Sequence, residues 1–208
     1  MRPCPTLPSL LAATTFVFTW PAFGQATSVT TYAGYRGGGQ GLQRSAPADE
    51  PLRLGAGGAG SLSIDWAIDA ARQLQLFAST QRTELQANAS NTAPPQRIPI
   101  RLSLLHLGGT NFIDGTVGRG TYVVGGLGMT QLTPGLAGYA SELRLSLNLG
   151  LGYQWSLAPA VALRTELRGY ATLINSSGSF LCSGNCTVSI KGDSLTQAEL
   201  MLGLAWGF

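Results

Sequence analysis

The segment ELRLSLNLGLGYQW, residues 142–155, alternates without a break. Leu143, Leu145, Leu147, Leu149, Leu151, Tyr153 and Trp155 share one parity. Glu142, Arg144, Ser146, Asn148, Gly150, Gly152 and Gln154 share the other. Helical spacing would scatter these leucines around an axis. In a strand, where successive side chains point to opposite faces, they form one unbroken apolar stripe.

The same period appears on either side. In 161–173, Val161, Leu163, Thr165, Leu167, Ala171 and Leu173 oppose Ala162, Arg164, Glu166, Arg168, Tyr170 and Thr172. At the C-terminus, Phe208, Trp206, Leu204, Leu202, Leu200 and Ala198 oppose Gly207, Ala205, Gly203, Met201, Glu199 and Gln197. Noisier alternation predicts strands near 28–37, 54–67, 73–84, 97–112 and 119–132. That makes eight strands. The stretches between them alternate in length. Residues 38–53, 85–96, 133–140 and 175–193 are long, whereas 68–72, 113–118 and 156–160 are short. Long outer loops and short periplasmic turns are the asymmetry of a membrane barrel.

Composition separates such a barrel from a soluble sandwich. Charged residues are 11% of the chain, against about 25% in ordinary globular domains. Lys191 is the only lysine, and 28 of 208 residues are glycine. A sandwich would set charges on its water-facing side and guard its edge strands with them. Here the polar parity carries mainly Gly, Ser, Asn and Gln, which suit a narrow lumen. At roughly 2.5 Å of height per tilted residue, a 13-residue strand spans ~30 Å, enough for an apolar band. Tyr153 and Trp155 on one strand, and Trp206 and Phe208 on another, fall at the same predicted periplasmic end. They read as an aromatic girdle. In lipid every backbone amide must be paired, so the sheet must close. The fold class is all-β: a closed antiparallel up-and-down transmembrane barrel.

Residues 1–26 differ from the rest. Arg2 precedes an apolar run from Leu10 to Phe18, Pro21 interrupts it, and Gly24-Gln25-Ala26 supplies small residues. This is signal-peptide layout, with cleavage after Ala26, or second after Gly24, and the barrel domain occupying 27–208. Export puts the chain in the bacterial outer membrane, among outer-membrane lipid and lipopolysaccharide. Cys4 would leave with the signal. Cys182 and Cys186, in Cys-Ser-Gly-Asn-Cys, then read as a disulfide closing the tip of the 175–193 loop. That loop is a candidate surface for a partner outside the cell. The net charge of +3, with no basic run, gives no footprint for nucleic acid.

The mature chain resembles the small outer-membrane barrels of the OmpA/OmpX type. The likeness rests on the Gly-Gln-Ala signal end, Thr31-Tyr32-Ala33-Gly34-Tyr35-Arg36, Leu105-His106-Leu107-Gly108-Gly109-Thr110, Tyr122-Val123-Val124-Gly125-Gly126-Leu127-Gly128 and the alternating terminus. It implies an eight-stranded barrel. It also implies that Leu204, Trp206 and Phe208 form the terminal signal read by the barrel-assembly machinery. The resemblance specifies architecture and assembly but not activity.

Candidate chemistry is sparse. Gly55-Ala56-Gly57-Gly58-Ala59-Gly60 matches G-x-G-x-x-G, but the alternating Ser61–Trp66 follows it where a dinucleotide site needs a helix. His106 is the only histidine. Taking Arg101 and Ser103 as inward places it outward, near the periplasmic interface, as a girdle residue. No catalytic constellation, metal site or cofactor is expected. The expected inward charges are Glu142, Arg144, Arg164, Glu166, Arg168 and Glu199, with Arg101 and Asp65 beside them. A turn centred near Ala158 would oppose Asn148 to Arg168, Gly150 to Glu166 and Gly152 to Arg164. The set reads as a salt-bridge plug, or as the lining of a narrow solute or ion path. Eight strands leave an interior just wide enough for side chains. The leading expectation is a structural or surface-interaction barrel for envelope integrity or adhesion. A small channel comes second, and a lipid A-modifying enzyme using His106 third.

Overall fold

The structure is a computed structural model that describes residues 27–40, 42–44, 50–87, 96–135, 140–173 and 194–207. Ten strands appear in it. They are β1 Thr27–Gln40, β2 Leu42–Arg44, β3 Glu50–Leu54, β4 Gly57–Ala67 and β5 Arg72–Ala87. Next come β6 Gln96–Phe112, β7 Gly120–Pro134, β8 Glu142–Ala158, β9 Val161–Leu173 and β10 Ser194–Gly207. All pairings are antiparallel. Each long strand pairs with its chain neighbours, β1 pairs with β10, and the β5–β6 ladder joins the two ends of the sheet. The barrel is therefore closed.

It has eight staves, because β3 continues the line of β4. Beyond the break at Gly55-Ala56, β3 pairs with β5 as β4 does lower down, with Leu54 opposite Leu85. The short β2 folds back on β3. The expected 38–53 loop is thus partly strand. At the other end, residues 68–71, 113–119 and 159–160 link successive staves. Among the described residues no helix is long and apolar enough to cross a membrane.

Alternation dictates what each face shows. Leu143, Leu145, Leu149 and Leu151 all point outward and are exposed, Leu149 by 69%. Ser146, Asn148, Gln154, Arg164, Glu166 and Arg168 point inward and are buried. A water-soluble protein has the opposite polarity of faces, and an apolar outer wall of this kind is the signature of a barrel that faces hydrocarbon. On β5 the wall runs from Arg82 to Arg72, whose partners on β6 are Arg101 and Asn111. Ten residues of tilted strand rise roughly 26 Å, close to the height of an outer-membrane apolar band.

The β8–β9 register corrects the expected one. Asn148 faces Tyr170, Gly150 faces Arg168, Gly152 faces Glu166 and Gln154 faces Arg164. The turn is only Pro159-Ala160, and the ladder is irregular between Ser156 and Ala158. The reversal point therefore sits one residue later, which slides the register by two. Parity survives, so outward side chains still meet outward ones: Leu151 faces Leu167 on the outer wall, where the expected register would have put Thr165.

Candidate functional site

Three guanidinium groups, from Arg36, Arg164 and Arg168, lie inside the barrel and are at most 1% exposed. Each has a carboxylate. Arg36 donates from Nε (3.0 Å) and Nη2 (2.6 Å) to Oε2 of Glu199, and also bonds Ser79. Arg164 Nη1 reaches Asp65 Oδ2 at 3.0 Å. Arg168 Nε reaches Glu166 Oε1 at 2.5 Å. Among the described residues, three buried arginines thus meet three buried carboxylates one to one. Charges held out of water must be paired in this way.

Uncharged side chains knit the pairs together. Gln75 donates to Asp65 at 2.7 Å and accepts from Arg168 at 3.0 Å, linking two of the three. Arg164 also donates to Gln154 at 2.6 Å, Gln73 at 3.2 Å and Tyr32 at 3.3 Å. Tyr122 donates to Glu166 at 2.9 Å, and Tyr170 donates to Glu199 at 2.7 Å. Rings cover the cation faces: Arg168 lies 3.8 Å from the Phe77 centroid and Arg36 lies 4.6 Å from that of Tyr170. These contacts are cation–π in geometry.

The glycines make this crowding fit. A Cβ on Gly152 would come within 2.7 Å of Tyr122 Cε2, and one on Gly203 within 2.7 Å of Tyr32 Cε1. The tyrosines occupy the space that the missing side chains leave.

The lumen is layered. Toward the long connections it is filled by Leu54, Leu85, Ile100, Leu102, Leu132 and Leu195, all buried. The charged layer fills the waist. Toward the short turns a vestibule of about 320 Å³ has Gln73 and Gln154 in its lining, the two glutamines that bond Arg164. The Arg164 cluster is therefore the floor of that vestibule.

Of the residues singled out from the sequence, Arg164, Glu166, Arg168, Glu199 and Asp65 lie in the buried set. Glu142 and Arg144 are apart from it. They are half-buried and paired to each other at 2.6 Å. Tyr153 and Trp155 face outward beside the 159–160 turn with ring centroids 4.5 Å apart. Trp206, opposite Val161, and Leu204, opposite Leu163, face outward at the same end. Phe208, Cys182, Cys186 and residues 1–26 lie outside the described residues.

Two placements are corrected. Arg101 and Ser103 are on the outer face of β6, and His106 is inside, 1% exposed, with Nε2 2.9 Å from Ser146 Oγ. The phase of β6 is set by Leu105 and Leu107, which face out, and by Leu102 and Leu104, which fill the lumen. Polarity misleads here because the lumen-facing positions of β6 at this height, Leu102 and Leu104, are themselves apolar. Sequence reading also missed Arg36, Tyr32, Tyr122 and the glutamines of the network. Parity would have found Tyr32 and Arg36, which share the inward phase of β1. Among the described residues no group of three metal-ligating side chains occurs.

No family model and no curated protein matches the chain. Solved structures do. Neisserial surface protein A is 12% identical and covers 88% of this chain and 97% of its own, with a TM-score of 0.57. The outer membrane protein AlkL, solved in lipid bilayers, is 13% identical, with 99% and 96% covered and a TM-score of 0.55. OprG of Pseudomonas aeruginosa is 12% identical, with 88% and 97% covered and a TM-score of 0.53. The fold is that of the small eight-stranded outer-membrane barrels, the architecture that the sequence resemblance implied.

Proposed function

We propose that this chain is an integral outer-membrane protein whose wall and outer loops, rather than its lumen, carry its role. It is a non-enzymatic structural or surface-interaction barrel of the Gram-negative envelope, inserted by the barrel-assembly machinery. The reading rests on one observation: three buried arginine–carboxylate pairs fill the waist of the barrel, two of them bridged by Gln75. The Arg164 guanidinium in that waist is held at once by Asp65, Gln154 and Gln73, so swinging it aside breaks several bonds together.

A channel requires groups that leave a path or swing aside cheaply, and buried pairs are costly to break. The Ser146–His106 contact supports no hydrolytic role either, because both side chains are buried within the wall and lumen. Purified barrel in planar bilayers is expected to give no discrete conductance steps at moderate voltage. Reproducible steps would favour the solute-channel reading instead. A His106→Ala strain is expected to keep its lipid A composition, and a changed composition would restore the enzymatic reading.

A further inference from the structure

Arg82 on β5 and Arg101 on β6 are directly opposite and both exposed on the outer wall. Their inward neighbours Gln81 and Leu102 are buried, which fixes their outward direction. Like charges opposite one another in a ladder repel. The acid on the same face one step on, Glu84, is engaged by Arg97 at 3.7 Å. Among the described residues neither Arg82 nor Arg101 is in an ion pair.

Immediately below them the wall is hollowed. Gly60, Thr80 and Ser103 stand side by side in one row, with Leu62, Ala78 and Leu105 in the next. These residues line a groove of about 600 Å³ with an almost wholly apolar surface. The groove thus lies within the apolar band, and Arg82 and Arg101 occupy the next outward row of the same ladder, just beyond its lining on the side of the long connections. An apolar trough headed by two cations is complementary to an amphiphile with an anionic head. Guanidinium groups favour phosphate because their donors match its oxygens in pairs.

We propose that this face binds a phosphorylated glycolipid of the outer leaflet. Its phosphate bridges Arg82 and Arg101, and one acyl chain lies along Gly60, Ala78 and Ser103. The proposal rests on the membrane placement argued above. It adds a defined lipid site on one side of the barrel.

The test uses the folded chain in detergent, titrated separately with diphosphorylated lipid A, fully dephosphorylated lipid A and phosphatidylethanolamine. The readout is the midpoint of thermal unfolding. Diphosphorylated lipid A is expected to raise the midpoint of the native chain, and the other two lipids are not. The Arg82→Gln/Arg101→Gln variant is expected to lose that rise. Gly60→Leu fills the groove from a position where an added Cβ meets nothing within 4 Å, and an unshifted unfolding midpoint without lipid is the check that it folds. It is expected to weaken the rise with both arginines intact. An equal rise in either variant, or an equal rise with the dephosphorylated lipid, overturns the proposal. Fractionation of cells tests the membrane placement on its own, since the titration does not depend on where the protein resides.

Discussion

Arg36 and Glu199 form a buried ion pair across the β1–β10 ladder, in which a single oxygen of Glu199 receives two guanidinium donors and the Tyr170 hydroxyl. Both residues are at most 1% exposed. Removing one partner leaves the other charged, buried and unpaired. Arg36→Leu alone is expected to destabilise the barrel by about 3–5 kcal/mol. Arg36→Leu/Glu199→Leu is expected to cost far less than the sum of its two single changes, because no orphan charge remains. Urea unfolding from lipid vesicles measures all three. Additive single effects would show that the pair is not coupled.

The contact of Gly152 with Tyr122 carries a second prediction. Gly152→Val pushes on the Tyr122 ring, whose hydroxyl bonds Glu166. Overpacking of this kind costs about 1–3 kcal/mol. On a Tyr122→Ala background the same change is expected to cost much less, since the ring is gone. An unchanged cost on that background would place the clash elsewhere.

At the short-turn end, Asp69 organises the turn that joins β4 to β5. Its carboxylate accepts from Arg72 Nε at 2.6 Å and from the backbone amides of Ala71 (2.9 Å) and Arg72 (2.8 Å). The Arg72 hydrogen bond, followed by that of the Ala71 amide, holds the carboxyl below the usual aspartate value. A depressed folded value means that the turn gains its full stability above the unfolded pKa. That stability is lost as pH falls through the lower, folded one. An NMR titration of the Asp69 carboxyl is expected to give a midpoint below the ordinary one, and Arg72→Ala is expected to move it up. An ordinary midpoint in the native chain would contradict the turn geometry.

The architecture was legible because β8, β9 and β10 have one lipid-facing side and one lumen-facing side throughout, so parity alone sorts Leu149 from Arg168. The site was only partly legible. Parity assigns a direction but not a height, and this lumen changes from apolar to charged along its axis. Leu102 therefore reads as lipid-facing and Arg101 as luminal, when each is the reverse. The β8–β9 register depended on whether the chain reverses at Ala158 or one residue later, which composition does not specify. Arg36 escaped notice because β1 is rich in glycine and threonine, and its outward face lacks the leucine stripe that marks the later strands.

The outer wall itself can be tested by depth. Leu127 is 71% exposed and lies in the row Leu107–Leu127–Leu147, near the middle of the apolar band. Thr133 is on the same strand and face, level with Arg101. If that wall meets hydrocarbon, an arginine at Leu127 has no water to reach, whereas one at Thr133 sits among head groups. Leu127→Arg is expected to lower the free energy of folding into vesicles by about 2–4 kcal/mol, and Thr133→Arg by only about 0–1 kcal/mol. On a water-exposed wall neither change would exceed about 0.5 kcal/mol. Measured side by side, the pair separates the two environments without reference to any ligand. Equal and small effects would mean that the leucine stripes face water or a protein partner instead of lipid.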